Sequence, residues 1–486
     1  MKPSENPSSV PVAIIGIGAM FPRSPDLKGY WRLLFRAEDA VTEVPESHWS
    51  AKDYFDPDPK RHDHVYCSRG GFLSAVAFDP TEFGLPPAIL EATDTSQLLG
   101  LITAKMALQD AGYGDGKVFD RNRTSVILGV TGTQELVVPL GARLGHPIWR
   151  RALEEAGVSA EKTDAVMEKI ADSYVAWQEN SFPGLLGNVV AGRISNRLDL
   201  GGTNCVVDAA CASSMSALHL ALMELAAGRS DMALSGGVDT LNDIFMHMCF
   251  SRTGVLSKSG DAKPFSAGAD GTVLGEGIGI IVLKRLADAQ RDGDRIYAVI
   301  RAMGTASDGR SQSIYAPRVE GQMLALKRAY ENAGVDPRTI GMVEAHGTGT
   351  RVGDAVEFTA LKKALDPDAG GVACAVGSVK SMIGHTKAAA GTAGLIKAAL
   401  ALHHKVLLPT LKADPVDPNL DIENSRFYLP GQARPWLETG GHPRRAGVSA
   451  FGFGGSNFHA VLEESAPEKT EPAWDGTCEI LAFSGD

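Results

Sequence analysis

The chain has 486 residues, room for roughly two to four domains, and its 44% hydrophobic and 22% charged content is that of a soluble protein with ample core material. A formal net charge of −11 argues against a nucleic-acid surface or a polybasic membrane patch, while leaving room for a local basic dock for an acidic partner. No apolar run reaches the length of a membrane span, and the polar start MKPSENPSSVP has no signal-peptide core, so a cytoplasmic protein is expected.

Residues 1–10 read as a disordered lead-in. VAIIGIGAMFP predicts a buried strand entering a glycine turn, and GYWRLLFRA a helix. Residues 45–78 read as a long, mostly polar loop. SQLLGLITAKMALQDAGY carries helical periodicity with a glycine near its end, and SVILGV is a buried strand. Residues 150–178 are charged and helical, and NVVAGRISNRLDL is a helix running into a glycine turn. TNCVVDAA, SMSALHLALMELAAG and DMALSGGVD then give strand, helix, strand.

IGIIVLKRL and IYAVIRAMGTAS read as adjacent strands, followed by the helix EGQMLALKRAYENAGV. MVEAHGTGT and CAVGSVKSMIGHT predict strands running into glycine turns, and GTAGLIKAALALHHK a helix. RRAGVSAFGFGGSNFHAVLEE predicts two strands joined by a glycine loop. SAPEKTEPAWDGT is a polar, proline-containing linker, and ILAFSGD turns apolar as at the start of another domain. Alternating strands and helices predict an α/β protein. Strands ending in small-residue turns occur in both halves, a hint of internal duplication.

The six cysteines, at 67, 205, 211, 249, 374 and 478, are scattered with no CxxC, which fits a reducing compartment. Cys211 stands where the strand VVDA gives way to the helix SMSALHLALMEL. At such a corner, free backbone N–H groups and the helix dipole favour a thiolate. The flanking Ala209, Ala210, Ala212, Ser213 and Ser214 leave room for a substrate. Cys205, Cys249 and Cys374 lie in apolar runs without a corner and are read as buried and inert, a reading that on these residues alone also stays open for Cys211.

His346 and His385 are placed at strand ends leading into loops, where α/β active sites gather, with Lys380 five residues before His385. His403 and His404 read as a helix end. His62, Asp63, His64 and Cys67 have a metal-like spacing but sit in a polar loop with no matching ligand cluster, so no metal site is expected. GIGAMF lacks the third glycine of a dinucleotide fingerprint, and Glu38 and Asp39 follow a helix where that motif wants the end of a second strand. GFGGSN has no GK[ST]; its glycines would let backbone N–H groups approach a substrate oxygen.

Taken together, VDAACASS, EAHGTGTRVGD, GSVKSMIGHT and AGVSAFGFGGSNFH, in this order, resemble the β-ketoacyl synthase (ketosynthase) family of the thiolase superfamily, from Val12 to about Glu464. DGRSQSIYAP, LIKAALALHHKVLLPT and LDIENSRFYL are similar to the ketosynthases of multidomain polyketide and polyunsaturated-fatty-acid synthases. Ser456-Asn457 replaces the T-N often found in the family's glycine loop, a loss of one methyl group.

The resemblance implies a thiolase-like fold of two similar α/β halves in five layers, here residues 11–265 and 266–465, followed by a linker at 466–486 towards a further domain, and normally a homodimer. It implies that Cys211 takes an acyl chain from the phosphopantetheine of an acyl carrier protein, while His346 and His385 serve a malonyl thioester. Lys380 matches the lysine that supports the histidines, and Asp354 and Glu357 match acidic positions that hold the site together. Thr348 and Thr350 match pantetheine contacts. Phe453 matches a gatekeeper whose backbone N–H, with that of Cys211, forms the oxyanion hole. Decarboxylation drives the bond formation, so no bound cofactor or metal is expected. A thiolase-type relative would carry a second cysteine where Phe453 stands, and a pocket-shaping partner of the chain-length-factor kind would lack Cys211. The chemistry implied is a decarboxylative Claisen condensation extending a polyketide or fatty acyl chain, with no nucleic-acid or membrane partner.

Overall fold

The computed structural model describes residues 10–465, apart from 115, 132–134, 311–312, 367–369 and 438–440. The expected lead-in, Val10 excepted, and the expected linker lie outside the described residues.

In the first half, strand β1 (Val12–Met20) is buried along its whole length. Helix α1 (Thr95–Asp110) covers one of its faces. There is no room for a Cβ at Gly16, 2.5 Å from the Ala107 carbonyl, or at Gly18, 2.1 Å from that of Thr103. The GIG of the partial dinucleotide motif is therefore a seat for a helix. Next come β2 (Thr124–Gly129), α2 (Asn188–Arg197), β3 (Asn204–Val207), α3 (Ser213–Ala226), β4 (Met232–Asp239) and β5 (Gly277–Arg285). The strand order is β3-β2-β4-β5-β1; the first three run parallel, and β5 is antiparallel to both its neighbours.

The second half repeats the plan. Its elements are β6 (Ala298–Ser307), α4 (Val319–Ala333), β7 (Met342–Glu344), α5 (Arg351–Leu365), β8 (Cys374–Gly377), α6 (Lys380–Ile383), α7 (Ala390–His404), β9 (Phe427–Tyr428), β10 (Arg445–Gly452) and β11 (Ser456–Glu463). The order β8-β7-β10-β11-β6 has the same parallel and antiparallel pattern, with β9 added outside β8. The duplication hinted at by the turns is thus written in the strand order. The halves join where β1 meets β6 over three residue pairs, Val12↔Ile300, Ala13↔Val299 and Ile14↔Ala298.

Two expectations change here. IGIIVLKRL and IYAVIRAMGTAS form β5 and β6, which are not neighbours: β1 lies between them and takes one on each edge. The seam of the duplication falls between β5 and β6, later than a divide after residue 265, because β5 completes the first half-sheet.

Helices α3 and α7 form the middle layer. Helix α7 touches β4 and β5 of one half and β7 and β10 of the other. Its small-residue sequence AGTAGLIKAALALHH leaves only the last two residues incompletely buried, which lets it pass between two sheets. Its one interior charge, Lys397, pairs with the buried Glu344 at 2.6 Å. With α1 and α2 outside one half-sheet and α4 and α5 outside the other, the layers number five. No described helix is long and apolar enough to cross a membrane.

Candidate active site

The elbow that carries Cys211 is built from its own backbone. Strand β3 ends at Val207, and the Asp208 carboxylate accepts the Ala210 N–H at 2.9 Å. Ala210 sits in the left-handed region at φ 49°, a strained corner for a residue with a Cβ. A single turn, Ala210–Ala212, follows, and α3 begins at Ser213. The Ser213 hydroxyl closes the corner by accepting from the Ala209 N–H and donating to the Ala210 carbonyl. Gly452, ending β10, presses against this corner: a Cβ there would stand 2.1 Å from the Ala209 carbonyl.

Cys211 is 6% exposed. Burial pushes its thiol up to about 11, against the pull of Lys380 and Lys387, and Asp239 adds to the rise. The thiolate expected at this corner is thus not the resting state: loss of water around the sulfur outweighs the corner's favourable field. The Phe453 backbone N–H bonds towards the sulfur.

His346 follows β7, as predicted. Glu357 of α5 accepts the backbone N–H of His346 at 2.7 Å and of Gly347 at 2.8 Å, one on each carboxylate oxygen. Asp354 does the same for Phe265 at 2.8 Å and Gly349 at 3.2 Å. Burial pushes both carboxyl groups up to about 7. Lys380, buried on α6, donates its ammonium to the His346 carbonyl. Glu357 and Lys380 thus hold the backbone of His346, and Asp354 holds the glycine turn that follows it.

His385 departs from the strand-end placement. Strand β8 stops at Gly377, and the sequence KSMI makes one helical turn before Gly384 and His385. The Glu344 carboxylate accepts the Val379 N–H at 2.7 Å and sets that turn. His385 is then tied to the other half: its N–H donates to the Val273 carbonyl at 2.7 Å, and its carbonyl accepts from the Gly275 N–H at 2.9 Å.

The two rings lie 5.5 Å apart, near perpendicular at 84°. The Nδ1 of His346 accepts the Phe451 N–H at 3.4 Å, and the Nδ1 of His385 accepts the Lys387 N–H at 3.3 Å. A backbone N–H can only donate, so each ring carries its proton on Nε2. Burial, reinforced by Lys380, holds both imidazoles well below their usual range, and hence neutral.

Cys211, His346 and His385 line one cavity of about 540 Å³, together with Thr348, Thr350 and Phe453. The two threonine hydroxyls lie 2.9 Å apart. The Phe453 ring is 43% exposed and rests between Phe250 and Tyr315, each 6.3 Å away. Every residue that the resemblance assigned to the site therefore lies in this cavity or holds its walls.

The remaining candidates scatter. His62 and Asp63 are exposed and His64 is half-buried, and among the described residues no group of three or more His, Cys, Asp or Glu is placed to hold a metal ion. Asp39 pairs with Lys412 at 2.7 Å. Cys374 is buried and its thiol is pushed up to about 12 by burial. Cys249, read as buried, is exposed, because the helix Ile244–Thr253 turns that face outwards. Three site residues fall outside the sequence reading. Phe451 fixes the His346 tautomer, and Lys387 and Asp239 form a buried ion pair at 3.0 Å. The signal available was a lysine inside the small-residue run HTKAAAGTAG, and an acid closing the buried strand β4.

This fold and this cysteine with two histidines define a thiolase-fold condensing enzyme, and the chain belongs to the β-ketoacyl synthase family. The family's N-terminal domain model matches residues 9–289, its C-terminal domain model 297–414, and the ketoacyl-synthetase C-terminal extension 417–486, which takes in the residues expected to form a linker.

Among curated proteins, the chain is 43% identical over 463 residues to one subunit of the polyunsaturated fatty acid synthase of Thraustochytrium sp., covering 94% of this chain and 16% of that protein. It is 37% identical over 474 residues to polyketide synthase PksN of Bacillus subtilis, covering 95% of this chain and 8% of that one. The chain thus spans less than a fifth of either relative. Among solved structures, the oxazolomycin ketosynthase domain of Streptomyces albus superposes with a TM-score of 0.80 at 34% identity, covering 95% of this chain and 75% of that one. The ketosynthase from module 6 of the bacillaene synthase of Bacillus subtilis gives 0.78 at 34% identity, covering 94% and 72%. The chain is accordingly a ketosynthase domain of the polyketide and polyunsaturated-fatty-acid synthase type, an acyl-transferring condensing enzyme.

Proposed function

We propose that Cys211 receives an acyl chain from the phosphopantetheine arm of an acyl carrier protein and that the two histidines join it to a malonyl unit held on a carrier. Attack of the Cys211 sulfur on the incoming thioester expels the pantetheine thiol and leaves an acyl-Cys211 thioester. The malonyl thioester then loses carbon dioxide, and the electrons of the broken C–C bond pass into an enolate. The Nε2–H groups of His346 and His385 donate to the enolate oxygen from positions fixed before the reaction begins. The enolate carbon attacks the acyl carbonyl, whose oxygen is received by the N–H groups of Cys211 and Phe453. Cys211 leaves as thiolate and regains a proton. The electron balance closes on loss of carbon dioxide.

The observation that carries this reading is the pair of histidines with Nδ1 occupied by backbone N–H groups, which makes both of them Nε2–H donors, on residues that line one cavity with Cys211. Thr348 and Thr350 line the same cavity and offer hydroxyls to a pantetheine amide. The exposed Lys258 and Arg351, also lining it, supply the local positive charge that a carrier phosphate needs on a chain of net charge −11. β3 closes the sheet at one end, with its outer edge unpaired among the described residues, and pairing with a second copy there would give the homodimer.

The test is to offer a panel of acyl-carrier-protein thioesters and weigh the protein. Acylation confined to Cys211 and abolished by Cys211→Ala is the expected result. Acylation that survives this substitution overturns the reading.

A further inference from the structure

The ion pair of Lys387 with Asp239 joins the two halves, and the turn Lys387–Ala389 packs against the turn Ala210–Ala212 that carries the reacting sulfur. Asp239 ends β4 of the first half, and Lys387 follows His385 in the second. Both are about 97% buried. The Asp239 carboxylate also accepts the Ala388 N–H at 3.0 Å, and the Lys387 ammonium donates to the Gly275 carbonyl at 2.8 Å. Lys387 holds φ 43°, a left-handed conformation that a side chain with a Cβ rarely adopts. In that conformation its N–H meets Nδ1 of His385. An isolated ammonium at such depth would be strongly destabilising, so the pair is kept as a unit.

We infer that Lys387 and Asp239 are positioning residues: the backbone of Lys387 fixes the His385 tautomer, and its ammonium, tempered by Asp239, sets how readily Cys211 loses its proton. This rests on the ketosynthase reading of Cys211 and His385. The charged groups facing Cys211 are Lys380, Lys387 and Asp239. Those facing the pair are Glu276, Asp243, His385 and His247. The two members of the pair act on the sulfur in opposite senses, the lysine favouring the thiolate and the aspartate opposing it. A residue that merely packed the site would not separate by sign.

The experiment follows alkylation of Cys211 by iodoacetamide against pH, read by mass spectrometry, in wild type, Lys387→Gln, Asp239→Asn and the double variant. Glutamine keeps the backbone N–H that serves His385, so it isolates the charge. Lys387→Gln moves the profile up by roughly half to one pH unit and Asp239→Asn moves it down, with the double variant near wild type. Single shifts in the same direction, or no shift in either, overturn the inference. Should a single variant unfold, the double variant decides: recovery of the fold supports the pair, and a double that folds no better than the singles overturns it. Alkylation needs no carrier protein. Failure of acyl loading with opposite shifts intact therefore sinks the ketosynthase reading and leaves the electrostatic pair standing, whereas loading without opposite shifts sinks only the pair.

Discussion

His346 and His385 face one another edge to face at 5.5 Å, and the Nδ1 of each receives a backbone N–H. Both arise in the second half, yet the N–H of His385 is anchored on the carbonyl of Val273 from the first. The donor pair is therefore held by the seam of the molecule as well as by its own loops.

From this geometry, His346→Ala and His385→Ala should each leave acyl loading of Cys211 largely intact while slowing condensation about 10²–10³-fold, the usual effect of losing one donor to a developing oxyanion. Single-turnover acylation and product formation, measured side by side, check it. Equal loss of both steps would contradict the division of labour.

The buried thiol of Cys211, pushed up to about 11, should be largely protonated at neutral pH in the unloaded enzyme. Its alkylation rate should climb about tenfold per pH unit between pH 7 and 9. A rate already level by pH 8 would mean that the sulfur is ionised at rest.

His459 is fully buried between the Tyr330 hydroxyl at 2.8 Å and the Ser449 hydroxyl at 2.9 Å, and burial lowers it to about 3. The unfolded chain takes up this proton near 6.5 and the native ring does not. Its contribution to stability is thus complete above about pH 6.5 and falls away as pH drops towards 3, by about 1.4 kcal/mol per unit. Asp354 and Glu357, raised to about 7 by burial, act in the opposite sense: their contribution is complete below about pH 4 and is lost as pH rises through 7. Urea unfolding of wild type and His459→Gln at several pH values isolates the histidine. The difference in stability between the two should change by about one proton's worth per unit between pH 6 and 4.

Gly452→Ala should damage the elbow, since the new Cβ would press on the Ala209 carbonyl and move Cys211 relative to the Phe453 N–H. Acylation slower by about tenfold or more, in a protein that still melts cooperatively, is the expected outcome.

Glu357→Ala leaves two buried N–H groups, of His346 and Gly347, without an acceptor. The cost should be about 1–3 kcal/mol for each, read from denaturant midpoints. Glu357→Gln, with one carbonyl oxygen, should recover about half of it.

Much of the site is legible in the residues themselves. Cys211 stands out because a thiol among alanines at a strand-to-helix change is a local pattern, and His346 because EAHGTGT marks the end of a strand. His385 belongs to the site by resemblance, but its place on a strand end does not hold: KSMIGH makes its helical turn because Glu344, far away in the chain, accepts the Val379 N–H. Lys387 and Asp239 each leave a faint local sign, a charge in a small-residue run and an acid closing a buried strand, but 148 positions separate them and neither marks a site until the two halves meet.

The amino-acid order alone determined the alternation of strands and helices, the corner that presents the sulfur and the glycine loop that faces it, since periodicity, turn chemistry and small-residue runs act over a few residues. Tertiary structure decided that β1 parts β5 from β6, that the cysteine rests protonated, and that both imidazoles donate through Nε2. Each of these depends on which groups from distant segments exclude water together, and that is set only when the halves close.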